Sequence, residues 1–178
     1  VIKGDYEEAY SFNEGLALIC EDEKYGYINK KGESVIDAEY EDAYPFKNGI
    51  APVYDGKEWG YINKKGEYMA EPQFEEASLA NAGMALVMNN DRYGYVNKKG
   101  DLKIKCKYIY ADWFCDDGYS IVATEEKKYI IINKSGEQIG SAYDGIGGMG
   151  YAFCKEDECY GMSFEEEYCY EHEPEDNK

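Results

Sequence analysis

Tyr25-Gly26-Tyr27-Ile28-Asn29-Lys30-Lys31-Gly32 returns thirty-four residues later as Trp59-Gly60-Tyr61-Ile62-Asn63-Lys64-Lys65-Gly66. After another thirty-four it is Tyr93-Gly94-Tyr95-Val96-Asn97-Lys98-Lys99-Gly100, and a decayed copy stands at Tyr129-Ile130-Ile131-Ile132-Asn133-Lys134-Ser135-Gly136. A fixed period of this length marks a tandem array, in which each unit buries its apolar face only by stacking on a neighbour.

The repeat extends outward from the octapeptide. Each copy is preceded by an aromatic-acid-acid-Ala step: Tyr6-Glu7-Glu8-Ala9, Tyr40-Glu41-Asp42-Ala43 and Phe74-Glu75-Glu76-Ala77. A glycine and an apolar run follow: Gly15-Leu16-Ala17-Leu18-Ile19, Gly49-Ile50-Ala51-Pro52-Val53 and Gly83-Met84-Ala85-Leu86-Val87. Looser versions, Tyr108-Ile109-Tyr110-Ala111 and Gly118-Tyr119-Ser120-Ile121-Val122, open the fourth copy. A degenerate fifth carries Gly150-Tyr151-Ala152-Phe153 and Tyr160-Gly161-Met162. The array is therefore expected over 1–170, in units of about 5–38, 39–72, 73–106, 107–141 and 142–170, with an acidic tail at 171–178. Val1-Ile2 aligns with Val35-Ile36 at the close of a unit. We therefore expect a piece of a longer chain with further repeats upstream, or else a ring closed by its first strand.

Within a unit the turn signals leave room for short strands only. Leu16–Cys20 reads as one strand and Glu58–Asn63 as the next, with Asp55-Gly56 as a two-residue hairpin turn between such strands and Asn89-Asn90 filling the same place in the third unit. Trp59 and Tyr61 share one face of their strand and Gly60 and Ile62 the other, the glycine leaving a gap for a close approach. Asn63-Lys64-Lys65-Gly66 turns the chain again, Asn bonding its own backbone and Gly supplying a left-handed residue. A third strand is expected around Glu67–Ala70. Helical periodicity is absent. The fold expected is all-β: hairpin repeats of about 34 residues stacked as a curved solenoid-like array. A five-bladed β-propeller is the alternative, disfavoured because familiar blades run to about 40–45 residues. The recurring aromatics, including the Phe12/Phe46 position, are expected to form the core ladder.

Nineteen basic against thirty-seven acidic residues give a net charge of −18, which argues against nucleic acid and anionic membrane surfaces as partners. No apolar stretch is long enough to insert in a membrane. His172, the only histidine, lies in the tail, which removes Ser-His-Asp, Cys-His and His-based zinc chemistry. No catalytic residues, cofactor or metal site are expected. The paired acids recur thirty-four residues apart, whereas acid-base catalysis needs two unequal, convergent carboxylates. A carboxylate-based hydrolase is thus the least favoured reading, and calcium binding lacks an Asp-x-Asp-x-Asp-Gly loop. The lysine pairs read as solubilising hairpin tips rather than a polyanion-binding row. Cys154 and Cys159 would face each other across a hairpin if Glu156-Asp157 is its turn, which makes them a candidate disulfide; small buried thiols are the other reading. Trp113 falls outside the regular pattern and is the aromatic most expected at the surface. With Trp59, Tyr61, Tyr27 and Tyr95 it makes up the candidate binding set.

The unit resembles the WG repeat family, whose pattern is matched by Gly49-Ile50-Ala51-x-Val53, Trp59-Gly60-Tyr61-Ile62-Asn63, Gly66, Pro72 and Phe74. Tyr replaces the Trp in three units and Ile130 the Gly in the fourth. The resemblance implies a bacterial, exported or cell-surface protein and brings no assigned activity and no catalytic residues. A looser similarity links it to aromatic-Gly hairpin repeats of cell-wall-binding proteins. The function expected is a non-enzymatic binding or scaffold module for a protein or a cell-surface glycan. The alternative is a structural spacer attached to a further functional domain.

Overall fold

Four copies of the repeat fold into four antiparallel sheets of four strands each, as described by a computed structural model over residues 6–144. The first sheet holds β1 (Glu8–Ala9), β2 (Leu16–Glu21), β3 (Lys24–Asn29) and β4 (Ser34–Tyr40). The second holds β5 (Asp42–Ala43), β6 (Ile50–Tyr54), β7 (Trp59–Asn63) and β8 (Tyr68–Phe74). The third holds β9 (Glu76–Ala77), β10 (Met84–Asn89), β11 (Arg92–Asn97) and β12 (Leu102–Tyr108). The fourth holds β13 (Tyr110–Ala111), β14 (Tyr119–Ala123), β15 (Tyr129–Asn133) and β16 (Gln138–Tyr143). Within each sheet the strands pair in chain order, so every unit is a meander. The all-β tandem expectation holds. Each unit carries one strand more than the hairpin and third strand read from the sequence, because the acid-Ala step pairs with the apolar strand. The expected fifth unit and the Cys154–Cys159 pair lie outside the described residues.

The sheets pack face on face through residues at matching positions. Leu16, Leu18, Tyr27, Ile36 and Tyr40 of the first sheet meet Ala43, Phe46, Ala51, Val53 and Ile62 of the second. Ile50, Tyr61, Ala70 and Phe74 meet Ala80, Ala85, Val87 and Val96 in the next interface. Met84, Tyr95, Ile104 and Tyr108 meet Ala111, Phe114, Val122 and Ile132 in the third. The second strand of an inner unit is apolar on both faces because each face meets a different neighbour, and β6 is buried from Ile50 to Val53. The last strand is an edge. It alternates and places charge outward, and it accommodates Pro72. Pro52, on a central strand, sits where the shorter β5 has ended. The matching amide in the third sheet, that of Leu86, donates to Ser78 Oγ at 3.0 Å, so the proline removes a donor that the ladder does not use.

Two local readings hold and three change. The Asn-Lys-Lys-Gly turns form as expected, with Asn29 Oδ1 accepting from Lys31 N at 2.8 Å and Glu33 N at 3.2 Å, and Gly32 at φ 82°. Gly60 marks the close approach, where a Cβ would stand 2.8 Å from the Ala70 carbonyl oxygen. Where Ile130 replaces it, the β15–β16 register has one irregularity instead of two. Asp55-Gly56 is not a two-residue turn: Tyr54 pairs with Trp59, and Asp55 Oδ1 accepts from Lys57 N and Glu58 N at 2.8 Å each across a four-residue loop. The two-residue turns are Asp22-Glu23 and Asn90-Asp91, both residues of each at positive φ, and not Asn89-Asn90. Phe12 is 39% exposed while Phe46 is buried. Phe46 rests on Tyr27 of the preceding sheet at 4.8 Å between centroids, and the first sheet has no predecessor among the described residues.

Candidate functional site

In each unit a loop joins the acid-Ala strand to the apolar strand, and these loops are bonded side to side. The Tyr27 hydroxyl donates to the Tyr44 carbonyl at 2.8 Å, Tyr61 to Ser78 at 2.8 Å and Tyr95 to Asp112 at 2.6 Å. The second tyrosine of one repeat thus holds the loop of the next. Burial pushes all three phenols up, so each stays protonated and donates. Asn48 Nδ2 donates to the Ala80 carbonyl at 3.0 Å, and Asn81 Nδ2 to the Phe114 carbonyl at 3.0 Å. Lys47 Nζ donates to Asn81 Oδ1 at 2.9 Å. The result is a tied row of loops over 44–49, 78–83 and 112–118.

The aromatic candidates divide sharply on this frame. Tyr27, Tyr61 and Tyr95 are fully buried with their hydroxyls taken, which leaves no ring face for a ligand. They are interface residues, not surface binders. Trp59 is half-buried and lies between Tyr44 and Tyr54, at 5.4 and 5.3 Å between centroids, the separation of favourable ring pairs. Tyr44 and Tyr54 escaped the sequence reading. The repeated Ala-Tyr of Ala9-Tyr10 and Ala43-Tyr44 was the available signal for the first. Trp113 is 55% exposed. Its loop is fixed by the bonds to the Asp112 and Phe114 carbonyls, and its own amide donates to Asp112 Oδ1 at 2.7 Å. Burial raises the Asp112 carboxyl above its ordinary range, and the Trp113 amide offsets part of that.

The paired acids cap turns. Glu7 Oε2 accepts from Glu23 N at 3.2 Å, and Glu75 Oε2 from Asn90 N at 3.1 Å. Glu41 pairs with Lys24 of the preceding sheet. Among the described residues no group of three or more His, Cys, Asp or Glu is placed to hold a metal ion. Cys20, Cys106 and Cys115 are free thiols.

One carboxylate crosses between repeats. Glu14 Oε2 accepts from Gly49 N at 3.1 Å and lies 3.0 Å from Lys64 Nζ, which also donates to the Glu14 carbonyl at 2.8 Å. Burial opposes the ionised form. The Lys64 ammonium and the backbone N–H groups of Gly49 and Asn48 outweigh it and hold the carboxyl below its ordinary range. A depressed folded-state pKa contributes stability above the unfolded value of about 4.3 and loses it as pH falls through the folded value. Denaturant titrations stepped downward from pH 6 should therefore show a shallower acid loss in Glu14→Gln than in the parent. Equal slopes would show that the clasp does not form.

A model of the WG containing repeat matches residues 1–25, 25–58, 59–93 and 93–129. None of the curated proteins compared with the chain matches it. Among solved structures, Kluyveromyces lactis Hsv2 is similar with TM-score 0.48 and 9% identity, over 78% of this chain and 51% of that one. The WD40 beta propeller domain of Doa1 gives 0.35 and 13%, over 74% and 51%. BamB from Moraxella catarrhalis gives 0.38 and 12%, over 76% and 48%. The chain spans about half the length of each.

Proposed function

We propose that this chain, which belongs to the WG containing repeat family, works as a non-enzymatic recognition module for a protein partner. The observation that carries this reading is Trp113: a large aromatic, 55% exposed, on a loop pinned by hydrogen bonds on both sides. A rigid exposed aromatic loses little freedom on binding and covers much apolar area, which is why Trp is enriched among the residues that dominate interfaces. The tier Tyr44–Trp59–Tyr54 favours a second reading, in which the rings stack against the faces of a glycan.

With the 178-residue chain as bait in a lysate, identification of retained proteins by mass spectrometry tests the first reading. Trp113→Ala is expected to weaken the retained complex by about 2 kcal/mol, near thirty-fold, if Trp113 is a dominant contact. Retention of nothing, or equal retention by parent and variant, would contradict it. Selective retention of a glycan, lost in Trp59→Ala, would favour the second.

A further inference from the structure

The Glu14 clasp shows what the loop and turn of one repeat can hold: a carboxylate seated on a backbone N–H and a lysine ammonium. The next repeat has the same receptor. Ala82-Gly83 repeats the backbone of Asn48-Gly49, with φ of 48° and 80° against 56° and 86°. Lys98 stands thirty-four residues beyond Lys64. The carboxylate is missing, because the residue in the place of Glu14 is Asn48, whose amide is committed to the Ala80 carbonyl. Gly83 N–H has no acceptor among the described residues, although its counterpart Gly49 N–H is bonded to Glu14.

A groove opens at this place, lined by Asn48, Gly83, Lys98, Lys99, Lys103 and Lys134. None of the four lysines is ion-paired with a described residue. Asp101 also lines the groove and is the carboxylate there, with Oδ2 accepting from Asn97 Nδ2 at 3.0 Å. Local charge is thus positive on a chain of net charge −18, whose more distant acids are screened beyond about 8 Å at physiological ionic strength. The neighbouring residue, Asn81, is bonded to the Phe114 carbonyl one residue from Trp113, so the groove and the exposed indole belong to adjoining loops.

We infer that this groove is a receptor for a glutamate side chain on a peptide segment of the protein partner, seated on Gly83 N–H and Lys98 as Glu14 is seated on Gly49 N–H and Lys64. Charge-assisted hydrogen bonds to a carboxylate are the strong kind, and the receptor is built before the ligand arrives. The inference rests on the recognition reading and supplies its partner chemistry.

The test is an amide-resolved NMR titration of the 178-residue chain with the blocked tripeptide Ala-Glu-Ala. Blocked Ala-Gln-Ala and inorganic phosphate are the other arms. The Gly83 amide is expected to shift and saturate with the Glu peptide and to stay still with the Gln peptide. Lys98→Gln should weaken binding about ten-fold. Asn48→Glu should abolish it by supplying the carboxylate internally, and a cooperative thermal melt of that variant confirms folding although the bond to the Ala80 carbonyl is lost. A silent Gly83 amide, an equal response to the Gln peptide, a response to phosphate alone, or undiminished binding in Asn48→Glu would each overturn the inference. A lysate partner retained equally by parent and Asn48→Glu would overturn this site and leave the recognition reading standing. Glu-peptide binding with no retained protein would do the reverse.

Discussion

Gly100→Ala is expected to destabilise the array by about 2–5 kcal/mol, the sum of a left-handed alanine and an overpacked contact. Gly100 sits at φ 81°, and a Cβ there would stand 1.9 Å from the Met69 carbonyl oxygen and 2.2 Å from its carbon. Both atoms are backbone of the preceding sheet, so no side chain can swing aside. The reason for the approach is visible one repeat earlier. Gly66 rests on the side chain of Ile36, whereas the residue matching Ile36 in the second sheet is Ala70, so the Gly100 turn settles onto the strand itself. Gly66→Ala, whose Cβ would meet Ile36 at an ordinary 3.5 Å, should cost only the conformational part, about 1–2 kcal/mol. At roughly 2–4 °C per kcal/mol for a chain of this size, thermal melts separate the two variants. Equal losses would show that the turn does not press on the Met69 backbone.

Tyr61→Ala should cost about 3–5 kcal/mol, the range for deleting a large buried aromatic. Tyr61 is fully buried, packs edge-on to Phe74 at 6.4 Å and holds the Ser78 carbonyl. Tyr61→Phe keeps the packing and orphans that carbonyl, for about 1–3 kcal/mol. In a stack whose units touch only their neighbours, the loss should be local. Hydrogen exchange should therefore rise first in β6 to β11, on either side of the second interface. Tyr119→Ala, at an exposed position, should change stability by less than about 0.5 kcal/mol. Uniform loss of protection across all four sheets would show a cooperative block instead of a stack.

The repeat and its turns were legible because they are local. Asn29, Asn63, Asn97 and Asn133 each bond the backbone two and four residues ahead, and four glycines end those turns at φ near 80°. What the residue after the glycine does was missed. Glu33, Glu67, Asp101 and Glu137 accept from the Asn amide, a role that an acidic residue in an acidic chain does not announce. The two aromatics of the aromatic-Gly-Tyr step looked equivalent in sequence, since both lie on one face of their strand. Stacking separates them: the second is sealed between sheets and the first stays at the rim. Phe12 and Phe46 looked equivalent too, and differ only because one has a sheet in front of it. The Glu14 clasp joins residues fifty positions apart through one substitution in the period, a difference that the repeat pattern hides until the loops are seen side by side.

The central claim is that the repeated tyrosines Tyr27, Tyr61 and Tyr95 are sealed inside the stack while Trp113 and Tyr44 stand at its surface. Hydroxyl-radical footprinting of the folded chain, read residue by residue by mass spectrometry, tests it most directly. Trp113 and Tyr44 should oxidise rapidly, and Tyr27, Tyr61 and Tyr95 should remain unmodified until the chain unfolds. Oxidation of Tyr61 at the rate of Trp113 in the folded protein would contradict the account.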